Sequence, residues 1–185
     1  SNRMEPVIQP VDRHLILKEL TKDKFIRVTR KGHNYLYEVT AHDSPNVMQE
    51  IGRLREISFR LAGGGTGKAT DIDEYDIDPH EPYRQLIVWD PKDKEIIGGY
   101  RYINCGGLDI RKMATKELFD FSDEFINEYM PFTIELGRSF IQPNYQSTNI
   151  NRKSLYALDN LWDGLGALMV KYSNIKYFFG KVTMY

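Results

Sequence analysis

Tyr83-Arg-Gln-Leu-Ile-Val-Trp-Asp90, Pro91-Lys-Asp-Lys94 and Glu95-Ile-Ile-Gly-Gly-Tyr-Arg-Tyr-Ile-Asn104 decide the fold. Two runs rich in β-branched and aromatic residues flank a Pro-led turn, which reads as a pair of antiparallel strands. Upstream, Lys24–Thr29 and Asn34–Thr40 alternate around Lys31-Gly32 and read as a second hairpin. Between the hairpins, Val47, Ile51, Leu54, Ile57 and Leu61 recur at helical spacing, with Ser44 as cap and Pro45 at the first helical position. Leu15, Leu17 and Leu20 fit a short earlier helix. Downstream come an amphipathic segment from Phe119 to Met130, a strand from Phe132 to Gln142 closed by Pro143, a helix from Lys153 to Tyr172 and a strand from Tyr177 to Thr183. That helix carries Leu155, Leu158, Leu161, Leu165 and Leu168. The order β-β-α-β-β-(α)-β-α-β predicts an α/β (α+β) fold with a mixed central sheet flanked by helices. One domain is expected over 1–185, with 1–43 as an extension bearing a hairpin and 44–185 as the core.

The 185 residues suffice for one real core, and 41% apolar with 28% charged residues describe an ordinary globule. A net charge of −1 gives no global field for nucleic acid or an anionic membrane. The single Cys105 closes no intrachain disulfide. No run approaches the roughly 18 apolar residues of a membrane span, and no leader-like run precedes Met4. A cytoplasmic protein is the default expectation, with peripheral association at the inner membrane left open.

Charges recur through the middle of the chain: Arg55-x-x-x-Phe59, Asp71-Ile-Asp73-Glu-Tyr-Asp76, Gly99-Tyr-Arg101 and Glu135-Leu-Gly-Arg138. Acids and bases at strand positions are rarely buried unpaired. They predict one shared ionic cluster beside the core, with Arg101 and Glu135 on neighbouring strands and one face. Other motifs are decoys. Gly63-Gly-Gly-Thr-Gly-Lys68 has Ala62 and Ala69 where a phosphate loop needs glycine and hydroxyl, and it follows a helix; it reads as a flexible lid or linker. The Asp71–Asp78 run lacks the glycine and distal Glu of a calcium loop. His14, His33, His42 and His80 show no metal spacing, so no metal is expected. Ser139 and Cys105 have no His partner by motif.

Taken in order, these motifs resemble the acyl-carrier-protein-using branch of the GNAT superfamily. That branch holds the hemolysin-like, ornithine-lipid-type N-acyltransferases and the related acyl-homoserine-lactone synthases. Arg55 with Phe59, Asp73 with Asp76, Arg101, and Glu135 with Arg138 fill the pattern, and Leu161-Trp-Asp-Gly164 adds to it. The chain lacks the Trp that lactone synthases carry soon after their Phe. It also lacks the Gly-rich pyrophosphate loop of coenzyme A users after the central strand, where Pro143–Arg152 stands.

The resemblance implies transfer of a long (3-hydroxy)fatty acyl chain from acyl-carrier protein to the α-amine of glycine or ornithine, giving a lyso-aminolipid. It implies no tightly bound cofactor, with acyl-CoA as the rival donor, and closing strands beyond Tyr185. The rival readings are a lactone-synthase-like or acyl-CoA-dependent enzyme, and a non-enzymatic lipid-binding "hemolysin". Thioester aminolysis needs a base, oxyanion donors and alignment. Glu135 is the expected base, or else the partner of Arg138. Arg101 or Arg138 would hold an amino-acid carboxylate. Backbone N–H groups from Arg138 through Ser139 to Phe140 would meet the thioester carbonyl. Arg152 would meet the phosphate of phosphopantetheine. Arg55, Phe59, Asp73 and Asp76 complete the expected binding set, and for Asp73, Asp76, Arg55 and Arg101 the structural alternative is an ion network that fixes the Gly-rich loop.

Overall fold

The computed structural model describes residues 3–116, 120–145 and 152–180, with side chains of the last segment from 156 onward. Its elements are α1 (Arg13–Glu19), β1 (Phe25–Val28), β2 (Tyr35–Val39), α2 (Pro45–Leu61), α3 (Glu74–Ile77), β3 (Arg84–Asp90), β4 (Glu95–Asn104), β5 (Thr133–Ile141), α4 (Arg152–Lys171) and β6 (Tyr177–Gly180). The strands form one mixed sheet in the order β1-β2-β3-β4-β5-β6. Neighbours are antiparallel except β5 and β6, which are parallel and joined through α4, as a parallel pair requires. The first hairpin is therefore continuous with the central sheet: Glu38 of β2 lies opposite Leu86 of β3.

Helices cover both faces. On one, α1 and α2 bury Ile16, Val47, Met48, Ile51 and Leu54 against Tyr37, Ile87, Trp89 and Phe140. On the other, α4 buries Ala157, Leu161, Ala167 and Leu168 against Leu86, Tyr100, Tyr102, Leu136 and Ile141. Gly164 lets α4 approach closely, since a Cβ there would lie 2.6 Å from Tyr100 Oη and 2.9 Å from Leu86 Cδ2. A third cluster at the site end of the sheet joins Tyr83, Ile103, Cys105, Met113 and Met130.

Several local expectations shift. In α1 the buried residue is Ile16, while Leu15 and Leu17 are exposed. In α4, Leu158 is exposed, because the small residues Ala157 and Gly164 share the sheet-facing stripe with Leu161 and Leu168. Ser44 stands at the N-cap of α2, yet its hydroxyl bonds Asp43. The first-turn N–H groups of Asn46 and Val47, which have no partner within the helix, donate instead to Glu19 at the end of α1. Met130 is preceded by a wide helical turn at Phe125–Tyr129, and Phe119 lies outside the described residues. So do 146–151 and residues 181–183 of the strand expected from the sequence.

Candidate active site

The site lies on the α2 face of the sheet, where β3, β4 and β5 run side by side. Arg101 stands opposite Gln85 on one neighbour and Gly137 on the other, and Ile103 stands opposite Glu135. Paired residues point the same way and alternate along a strand. Arg101 and Glu135 therefore share one face, as expected, and Gln85 joins them there. Between Gly99–Arg101 and Gly137–Phe140 the register shifts, so Arg138 and Ser139 oppose Tyr100 alone. This is a β-bulge, with Arg138 at φ +51° in the left-handed region. It turns the Arg138 side chain onto the same face, toward Asp71 and Asp73.

The acidic run folds back over this face. Asp73 caps α3, accepting from the backbone of Tyr75 and Asp76 while Asp76 returns a bond to the Asp73 N–H. The carboxylates so placed meet three arginines. Arg55, fully buried, reaches Asp76 Oδ2 at 3.1 Å and Gln85 Oε1 at 2.6 Å. Arg101 Nη1 reaches Asp73 Oδ1 at 2.6 Å and Asp76 Oδ2 at 3.3 Å. Arg138 Nη2 reaches Asp73 Oδ2 at 3.3 Å. Burial works against the Asp73 anion, but the Arg101 guanidinium wins and holds its carboxyl well below the usual range. Asp71 shows the opposite balance: burial raises it despite Arg55 and Arg138. Burial also lowers Arg55, against the pull of Asp76.

Glu135 is only 1% exposed. The Tyr83 hydroxyl donates to its Oε1 at 2.9 Å and the Thr115 hydroxyl to its Oε2 at 3.0 Å. Burial raises its pKa, with Tyr83, Thr115 and Arg101 resisting. Arg138 is thus paired with Asp73, and the alternative in which Glu135 is its partner does not hold. The sequence reading singled out neither Tyr83 nor Thr115. Tyr83 opens an apolar strand, and Thr115 sits in the irregular stretch after β4. Only Gln85, a polar residue inside that apolar strand, carried a visible signal.

Of the remaining expected residues, Phe59 is half-buried and packs on the α2-side core, while Ser139 and Phe140 are buried at the bulge. The backbone of Arg152 opens α4, and its side chain lies outside the described residues. The Gly-rich loop is tied not by the arginine network but by Glu56, which accepts from the N–H groups of Thr66 at 2.9 Å and Gly67 at 3.1 Å. Charge is also not confined to one cluster. On the opposite face, buried Glu38 accepts from Tyr102, Tyr172, Arg84 and Lys171. Burial pushes the Cys105 thiol up to about 12, which does not suit a nucleophile. Among the described residues, no group of three or more His, Cys, Asp or Glu could hold a metal. No described helix is long and apolar enough to cross a membrane.

A six-stranded mixed sheet flanked by helices agrees with the family comparison. Residues 54–154 match the acetyltransferase (GNAT) domain family, and the chain belongs to it. At closer range it is 56% identical, over 98% of its length and 57% of the relative's, to a protein of Phocaeicola vulgatus named glycine N(alpha)-acyltransferase. It is 58% identical, over 98% of its length and 55% of the relative's, to a Bacteroides thetaiotaomicron protein of the same name. The chain spans little more than half the length of these curated relatives. No solved structure matches it.

Proposed function

We propose that this chain carries the acyl-transfer site of an amino-acid N-acyltransferase. The enzyme would move a long (3-hydroxy)fatty acyl group from the phosphopantetheine thioester of acyl-carrier protein to the α-amine of glycine. The product is an N-acylglycine, a lyso-aminolipid. The names of the two relatives support glycine over ornithine. The observation that carries the reading is Glu135: a buried acid with a raised pKa beside a strand bulge, next to an arginine-lined face.

Glycine reaches the site as an ammonium, so Glu135 takes its proton, through a bridging water because the carboxylate is sealed from bulk solvent. The free amine attacks the thioester carbon. The C–N bond forms, the oxyanion leans on backbone N–H groups of the bulged stretch from Arg138 to Phe140, and the C–S bond then breaks. The attacking nitrogen gives up its second proton as the amide forms, and the leaving thiolate takes up that proton and departs as the carrier's thiol. Arg101 is 5% exposed and committed to Asp73 and Asp76, whereas the Arg138 side chain is 34% exposed. Arg138 is therefore the better holder of the glycine carboxylate. An apolar pocket between α4 and β6, lined by Leu136, Leu161, Trp162, Leu165 and Phe178, suits an acyl chain. The pattern of Pro143–Arg152 favours a carrier-protein donor over coenzyme A.

The test is turnover of the full-length protein with a 3-hydroxyacyl-carrier protein and with acyl- and acetyl-coenzyme A, against glycine and ornithine, read by mass spectrometry. N-acylglycine from the carrier-protein donor is expected. Equal turnover with acetyl-coenzyme A overturns the donor assignment, and no acylation of any amino acid overturns the function.

A further inference from the structure

We propose that Tyr83 is the positioning residue of this site, fixing Glu135 through its hydroxyl and Arg101 through the face of its ring. The inference rests on the reading of Glu135 as the base. Tyr83 is fully buried, and its own N–H is tied to the Tyr75 carbonyl at 2.9 Å. Its hydroxyl oxygen accepts from the Ala114 N–H at 2.7 Å. A phenol has one proton, and with Ala114 filling the acceptor side, that proton is directed to Glu135 Oε1 at 2.9 Å. The Arg101 guanidinium carbon lies 5.1 Å from the ring centroid, within cation–π range. The Tyr75 ring packs at its edge, with centroids 5.8 Å apart.

One rigid side chain therefore joins three things that must keep register. These are the acid on β5, the arginine on β4 that holds the acidic cap, and the segment around Ala114 and Thr115 that covers the acid. Thr115 clamps the second carboxylate oxygen from that same segment. Burial and the Glu135 carboxylate both push the phenol's pKa up, so it stays a donor throughout the working pH range. Tyr83 does not itself exchange protons with substrate.

Tyr83→Phe keeps the ring and the Arg101 contact and removes only the hydroxyl. The carboxylate then loses a donor that favours its charged form. In the full-length enzyme, kcat should fall about tenfold with KM for glycine little changed, and the acid limb of the kcat profile should move up by about one pH unit. Tyr83 replaced by 3-fluorotyrosine, a stronger donor, should move the limb down, which also serves if the Phe variant folds poorly. In a Glu135→Gln background, Tyr83→Phe should cost nothing further, because the two act as a unit. An unshifted limb in both Tyr83 variants, or additive losses with Glu135→Gln, overturns the inference while leaving the base intact. A fully active Glu135→Gln enzyme removes the base and the inference together.

Discussion

Arg55→Met isolates the contribution of the buried guanidinium to the site's scaffold. Methionine fills most of the stem's volume, so the loss is electrostatic rather than a cavity. The change strips Asp76 of a partner at 3.1 Å, the Gln85 carbonyl of a donor at 2.6 Å and the Asp71 carbonyl of one at 3.3 Å. Breaking a buried ion pair from one side costs about 3–5 kcal/mol. Asp76 keeps Gln85 Nε2 at 2.8 Å, the Asp73 N–H at 3.0 Å and Arg101 at 3.3 Å, which places the loss near the low end, about 3 kcal/mol. A chain of this size loses about 2–4 °C per kcal/mol, so Tm should fall by about 6–12 °C. With m of about 1–3 kcal/mol/M, the urea midpoint should fall by about 1–3 M. Circular dichroism during heating and urea titration reads both. Adding Asp76→Asn, which removes the stranded charge, should cost less in the Arg55→Met background than in the parent. A loss under about 1 kcal/mol, or strict additivity, would refute the view that this pair is a coupled buried unit.

Four further outcomes are expected. Glu135→Gln, whose amide keeps the hydroxyl partners, should lose about 10²- to 10⁴-fold in kcat with Tm held; a stable, active variant defeats the base assignment. Asp73 has a folded-state pKa below its unfolded value of about 3.9, so its stabilisation is complete above that pH and lost as pH falls through the folded value. The stability gap between parent and Asp73→Asn should accordingly shrink from pH 6 toward pH 2 in urea titrations, and a constant gap would count against the ion pair. Gly164→Ala should cost about 1–3 kcal/mol by pressing a methyl on Tyr100 and Leu86, and an unchanged Tm would show that α4 has room to shift. Glu56→Ala should abolish amide-exchange protection at Thr66 and Gly67, and retained protection would mean that the loop holds itself.

The sheet and its flanking helices were legible because periodicity is a local signal. Trp89, Ile96 and Ile134 announce strands, and Val47, Ile51 and Leu54 announce a helix face. The arginines and acids of the site were legible as charges in places where charge is costly. Their pairing was not, since Arg138 reaches Asp73 only because of a bulge that leaves no mark in composition. Tyr83, Thr115 and Glu38 escaped for a related reason. Each looks ordinary in its own segment and gains meaning from a partner more than a dozen residues away. Small sheet-facing residues such as Ala157 and Gly164 misled the reading of α4, because close approach rather than bulk sets that contact.

The bulge in β5 also acts as a phase slip in the strand's inside-outside alternation. Counting by twos from Glu135 on the α2 face would send Phe140 to the α4 face and Ile141 to the α2 face. The extra residue reverses this, and Phe140 packs with Ile51 while Ile141 packs with Leu161's side of the molecule. Two halves of one strand are thus tuned to opposite parities, and the site lies at the node between them. Side chains in this stretch are free to drift by substitution, but the number of residues between Glu135 and Phe140 is not free to change. A deletion of Ser139 alone would turn either the acid or the phenylalanine to the wrong side of the sheet, so the segment's length is itself part of the site.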